Sequence, residues 1–476
     1  MTFDGSPAQV REELDLLHSA LEEGHPALYE SVTRGKLDSL FAQALTDSTV
    51  SLRDYQLSLC RLVARIGDGH TQVLMPKDSL DRLDESATAF PFRVAVIGGE
   101  LFVDRNLSDV PDSEFLGARI DSINGHPTTE FIATAVAISS SDGANRTNPI
   151  RRLGAIRLMT RSYACIYGIT RSYRIRYTPY QARLSRTRTL AGISFDEVLS
   201  RMRERYPSLA DRPPASLSYE TGARAALLRI RDFDQDHYRE SKLPFSVFLD
   251  TTFASLSRRQ ISTLILDLRS NRGGTDEYGK LVAAHLIDHD FLYYRSMTMK
   301  KLSYDFFAHT TNAKGFRAPH GFARANTHGT YDVIAHPNVG IQAHSASSYR
   351  GRLLVLIDGA CFSTTSELLS ALAEYTSAEF VGEESGGAFR GNCSGPTPTL
   401  ELPYSRMRID LPIVRYEMAV SGDRPRDRGI LPDVPVVSSV EDILTGRDSV
   451  LESARAMIGA RPDSATITSN PTRTRR

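Results

Sequence analysis

Residues 358–367 read DGACFSTTSE, set between the apolar run LLVLI and the helical run ELLSALAEY. Those flanks read as a buried strand feeding a helix. A serine opening a helix sits where backbone N–H groups lack intrahelical acceptors and where negative charge is favoured. Ser363 is therefore open to two readings. It is an N-cap, a position serine often fills, or it is a nucleophile whose oxyanion is held by neighbouring amides. A second stretch, DLRSNRGG at 267–274, follows the other apolar run. Gly273 and Gly274 leave the backbone bare, so a substrate carbonyl could approach and accept an N–H, or the pair only serves a turn that needs positive φ. Both stretches fall at carboxyl ends of expected strands, where ligands bind in α/β sheets.

The elements around these stretches alternate. Between 220 and 445, ARAALLRIRDF, QISTLILDLRS, RGRLLVLIDG and AEFVGEE read as strands. FSVFLDTTFASLSRR, EYGKLVAAHLID and STTSELLSALAEY read as helices. Continuous apolar strands feeding helices indicate βα units and a covered, largely parallel sheet, so the fold class is α/β. Residues 1–75 read as a helical segment, with Val10, Leu14, Leu17 and Leu21 at helical spacing and Ser51 as an N-cap. Residues 88–180 form a small, β-rich α+β module: FPFRVAVIGGELFVDRN reads as two strands joined by Gly-Gly, and GARIDSINGHPTTEFIATAV as strand, Asn-Gly turn and helix. Residues 181–215 are weakly patterned and read as a connector, 302–350 as a long excursion, and 463–476 as a disordered tail.

Acidic and basic residues balance at 57 each, which argues against a nucleic-acid partner or an electrostatic membrane anchor. Four cysteines without metal-type spacing make neither a disulfide framework nor a zinc site, although one bridge stays possible. Apolar runs fall short of a membrane span. The start MTFDGSPAQV lacks the features of a signal peptide, so the chain reads as soluble as given, with a removed leader left open. NRT at 145–147 fits a glycosylation sequon.

With ILDLRSNRGG, LLVLIDGACFSTTSELL, VGEESGG and RGILPDVPV in order, and more weakly EEGHPALY, IGDGHTQV and INGHP, the chain resembles the C-terminal processing (tail-specific) serine peptidases and their relatives, including the tricorn core protease. The resemblance covers roughly residues 12–445. It implies a crotonase-like α/β core, a PDZ-like module over 88–180 and N-terminal helices. It also implies that Ser363 is the nucleophile, with an oxyanion hole of Gly273, Gly274 and Thr364. Many members pair the serine with a lysine about two dozen residues downstream. Here that position is Ala388, and no lysine follows Lys314. Arg390 cannot substitute, because arginine does not deprotonate in proteins.

A histidine is the remaining base. His70 in DGHT follows a helix end and a glycine turn, so it can project from a loop, and it resembles the base of the tricorn-like branch. In that branch a serine precedes the histidine and a glutamate near the GI.PD motif orients it. Gly69 and Arg426 stand at the matching positions here. The candidate orienting acids are Asp427, Asp423 and Asp68. His25, His126, His320 and His344 read as structural or surface residues.

The expected activity is a serine-type peptidase on a peptide or protein substrate, with no metal or organic cofactor. A non-catalytic binding protein on the same fold and an esterase-type acyl hydrolase are the alternatives. Compartment and oligomeric state stay open; the family often works outside the cytoplasm.

Overall fold

The computed structural model describes residues 4–45, 48–86, 88–210, 212–240, 244–312, 318–422, 424–425 and 427–458. Asp423, Arg426 and the tail 463–476 lie outside the described residues. Among the described residues no helix is long and apolar enough to cross a membrane.

A six-stranded sheet organises the C-terminal half. Its strands, in spatial order, are Ala215–Tyr219, Ala225–Ile230, Thr263–Asp267, Arg352–Ile357, Glu379–Gly382 and Val434–Pro435. The first pair is antiparallel and the others are parallel. The two central strands are continuously apolar because both of their faces are covered. Leu264, Leu266, Leu353 and Val355 pack with the helices Phe245–Arg258, Asp276–Leu286 and Thr364–Tyr375 in the main core. Ile265, Leu354 and Leu356 face the other way, onto Val450, Leu451 and Ala454 of the helix Ser449–Ala456.

The N-terminal helices Pro7–Gly24 and Leu52–Ala64 pack into the same main core. Ser51 caps the second, accepting from Asp54 N at 3.2 Å. After this helix the chain turns through Gly67 (φ 73°), passes Asp68–Gly69–His70 and enters the strand Gln72–Leu74, which pairs with Arg408–Asp410 at the edge of a three-stranded sheet. The DGH loop is thus clamped between an N-terminal helix and a C-terminal hairpin.

Residues 88–191 form a separate sheet with its own core, including Phe92, Val103, Phe115, Ile120, Tyr163 and Tyr173. Its first hairpin turns at Gly98 and Gly99, both at positive φ, and the next turn uses Asn124 and Gly125 in the same region, as hairpin turns require. One expectation is corrected here. Residues 181–215 are not a connector: Arg186–Ala191 pairs antiparallel with Ser172–Thr178 as the edge of this sheet, and Phe195–Arg205 is a helix with a capping box at Ser194. Along that edge strand only Leu190 is buried, so the apolar alternation that marks a half-buried strand is missing.

The described residues of the excursion at 302–350 are mostly irregular, with a short 3-10 helix and short strands. Two of these, Ala323–Ala325 and Tyr331–Val333, join a five-stranded sheet with Tyr294–Met299, Val414–Met418 and Gly391–Ser394.

Candidate active site

Ser363 lies between the strand Arg352–Ile357 and the helix Thr364–Tyr375, at φ 56° and ψ −130°. A positive φ at a non-glycine residue costs on the order of 1–3 kcal/mol and persists only where the surroundings enforce it. Ser363 occupies the N-cap position, but its side chain caps nothing. Its Oγ instead lies 3.1 Å from His70 Nε2, across 293 residues of sequence. The strained turn lifts the hydroxyl off the helix end and presents it to the imidazole.

Phe362 fixes the imidazole plane, stacking on His70 with ring centroids 4.6 Å apart. Gly69 makes that approach possible: a Cβ there would stand 2.6 Å from Phe362 Cζ and 3.0 Å from Asp142 Oδ1. The His70 side chain is 18% exposed. Desolvation lowers its pKa, partly opposed by Asp68, so its neutral, base-competent form is favoured. With Nε2 accepting from the Ser363 hydroxyl, Nδ1 carries the proton. That nitrogen is buried, has no hydrogen-bond partner among the described residues, and lies 4.0 Å from Asp68 Oδ1.

Asp68 is held from behind. His25 Nδ1 accepts from Ala27 N at 3.2 Å, which leaves His25 Nε2 as the donor to Asp68 Oδ2, also at 3.2 Å. The Thr71 N–H donates to the same oxygen at 3.0 Å, and the Thr71 hydroxyl adds a further bond. Burial alone would raise the Asp68 pKa. The His25 hydrogen bond and the charges of His25 and His70 hold it below the usual carboxylate range.

Behind this loop Asp142 accepts from Gly69 N at 2.7 Å and from Ala388 N at 3.0 Å. Burial and the neighbouring Asp68 push its pKa up to about 7 despite those two bonds. In the first turn of the helix that follows the serine, Glu367 is buried and accepts from Tyr294 Oη at 2.7 Å and Asn392 Nδ2 at 2.9 Å. Burial and Asp276 push it up to about 7.

Gly273 (φ 92°) abuts the serine turn: a Cβ there would lie 2.8 Å from Ser363 Cβ and 3.0 Å from Thr364 N. Its own N–H, however, donates to Asn271 Oδ1 at 2.9 Å. Gly274 (φ 140°) is held by Thr364, whose hydroxyl donates to Gly274 O at 2.9 Å. Thr364 N belongs to the first helical turn, where no intrahelical acceptor exists.

Among the described residues two groupings carry metal-ligand side chains, His25–Asp68–Cys393 and Asp68–His70–Asp142. Most of their donor atoms have other roles. His25 and Asp68 bond each other, Asp142 accepts two backbone amides, and burial raises the Cys393 thiol well above its ordinary value. The arrangement suits proton holding.

The structure therefore brings Ser363, His70, Asp68, Gly273, Gly274 and Thr364 together. Asp427 is exposed, with its backbone against Gly143, and makes no contact with His70 among the described hydrogen bonds and ion pairs. His25, set aside above as structural or surface, is fully buried behind Asp68. Sequence reasoning singled out neither Asp142 nor Glu367: Glu367 stands within the DGACFSTTSE stretch, and Asp142 lies 73 residues from Gly69, whose amide it holds. The NRT sequon is used internally, since the buried Asn145 Nδ2 donates to Ser385 O at 2.7 Å.

A hydroxyl on a strained turn, an imidazole 3.1 Å away and a nearby helix N-terminus suit nucleophilic acyl transfer. The chain matches no curated protein by sequence. In fold it is similar to a CPAF variant (TM-score 0.64, 13% identity, covering 95% of this chain and 97% of that one). It is similarly close to mature CPAF complexed with lactacystin (TM-score 0.61, 13% identity, 95% and 97% covered). The photosystem II D1 C-terminal processing protease is a looser likeness (TM-score 0.44, 14% identity, 90% and 93% covered) that carries nothing further. Residues 224–436, which hold the Gly273–Gly274 turn and Ser363, match peptidase family S41. Over these residues the chain is thus similar to peptidase family S41, a likeness that supports a serine peptidase, a hydrolase.

Proposed function

We propose that Ser363 is the nucleophile of this peptidase and His70 its general base. The observation that carries the reading is the 3.1 Å contact between Ser363 Oγ and His70 Nε2, made by a serine that caps nothing. His70 takes the hydroxyl proton as Oγ attacks a peptide carbonyl. The imidazolium then protonates the leaving amine, and water hydrolyses the acyl-enzyme by the same route in reverse. Asp68 is the orienting acid. A contraction of less than about 1 Å, or one bridging water, would join its Oδ1 to His70 Nδ1, and apo catalytic contacts are often long.

The oxyanion is held by the Thr364 and Gly274 amides. The Gly273 amide joins them when the developing charge competes with Asn271 Oδ1 for its proton. Residues 220–445 act as a crotonase-like core. The 88–191 sheet acts as a PDZ-like module that adds a substrate segment as a strand. No metal or organic cofactor takes part in this scheme.

The test is labelling with a fluorophosphonate probe. Wild type should label, while Ser363→Ala and His70→Ala should not. Lactacystin, bound in one of the similar CPAF structures, is a second probe. A folded wild type that labels with neither would remove the Ser363–His70 assignment.

A further inference from the structure

The 88–191 unit reaches the catalytic pair through one short segment. The helices Thr128–Ala137 and Thr147–Leu153 send Phe131, Ile132, Ala135 and Leu153 into that unit's own core. In the link between them and the turn that follows, Asp142, Asn145 and Asn148 are buried. Buried polar side chains are costly unless hydrogen-bonded. Here their bonds run to the loops that carry His70 and Ser363.

Asp142 spans both loops with one carboxylate. Its Oδ1 accepts at 2.7 Å from the N–H of Gly69, the residue before His70, and its Oδ2 accepts from Ala388 N at 3.0 Å. The turn that holds Ala388 lies against the serine loop, since Gly386 N donates to Cys361 O at 2.8 Å. One oxygen is therefore tied to the histidine side and the other to the serine side. Gly143 N adds a bond to Gly67 O at 2.8 Å on the histidine side. On the serine side Asn148 Nδ2 donates to Gly359 O at 3.0 Å, and Asn145 Nδ2 donates to Ser385 O at 2.7 Å. The fit is close: a Cβ at Gly359 would stand 2.5 Å from the Thr147 carbonyl.

A carboxylate suits this position because it accepts on both oxygens. An asparagine amide offers one acceptor and would turn its NH2 toward the second backbone N–H.

We propose that Asp142 and Asn148 are positioning residues of the peptidase, bracing the histidine loop against the serine loop and so setting the 3.1 Å approach of His70 to Ser363. The 88–191 unit thereby helps to assemble the catalytic pair. This rests on the Ser363–His70 reading above.

The test compares Asp142→Asn and Asn148→Ala with Ile120→Val, a control that weakens the 88–191 core and touches neither loop. Fluorophosphonate labelling is followed over a range of probe concentrations on folded protein. The maximal labelling rate should fall by about ten- to a hundredfold in Asp142→Asn, and less in Asn148→Ala. The half-saturating probe concentration should change little, and Ile120→Val should label at the wild-type rate. Hydrogen–deuterium exchange gives a second readout that needs no activity: peptides containing Gly69 and Ala388 should exchange faster in Asp142→Asn and not in the control. Faster exchange with undiminished labelling would make Asp142 a packing residue and overturn the proposal while leaving the catalytic pair intact. A labelling rate that falls equally in Ile120→Val would overturn it as well. A wild type that never labels would remove the pair and this proposal together.

Discussion

His25 Nε2 donates to one oxygen of Asp68 across 3.2 Å, while the other oxygen lies 4.0 Å from His70 Nδ1. One carboxylate therefore stands between two imidazoles, the inner one fixing it and the outer one facing the serine. Asp68→Asn should lower kcat on a peptide substrate by about 10²–10⁴, with KM little changed, since the imidazole loses its tautomer and its counter-charge. His25→Phe keeps the ring but drops the bond, and should cost less. A change in KM alone for Asp68→Asn would place the residue in binding rather than orientation.

The pH dependence follows from burial of the imidazole. Desolvation lowers the His70 pKa and Asp68 opposes it, so the acid limb of kcat/KM, or of the probe-labelling rate, should lie below the ordinary histidine value of about 6.5. In Asp68→Asn the limb should move further down, because the raising influence is gone.

Glu367 predicts the opposite direction for stability. Its folded pKa of about 7 lies above the unfolded value, so the folded state holds a proton the unfolded chain has already lost. Its favourable contribution is complete below the unfolded value and is lost as pH rises through about 7. Asp142 works in the same sense. Denaturant unfolding at a series of pH values should show wild-type stability falling from acid pH toward neutrality, and Glu367→Gln should flatten that fall.

Gly69 leaves no room for a methyl group, since a Cβ there would meet both Phe362 and Asp142 within 3.0 Å. Gly69→Ala should cost about 1–3 kcal/mol by overpacking and reduce labelling of Ser363 by tilting the Phe362–His70 stack. Unfolding curves and labelling rates on one preparation check both. A variant with lowered stability but undiminished labelling would show that the stack does not aim His70.

Much of this was legible locally. The strand-then-helix alternation, the serine at a helix start, the paired glycines at a strand end and the histidine after a glycine turn all rest on periodicity and turn chemistry within a dozen residues. The strand Arg186–Ala191 was not legible, because a sheet edge with only Leu190 buried carries no apolar alternation. Nor was the choice of Asp68 over Asp427: both are aspartates close to a glycine, and only packing buries one behind His70 while leaving the other exposed. The sequence alone determined which residue types stood at turns able to present them. Tertiary structure decided the rest. A 3.1 Å contact spanning 293 residues, an amide of Gly273 turned to Asn271, and buried acids that hold their protons near neutrality all arise from chain segments that meet only when the core closes.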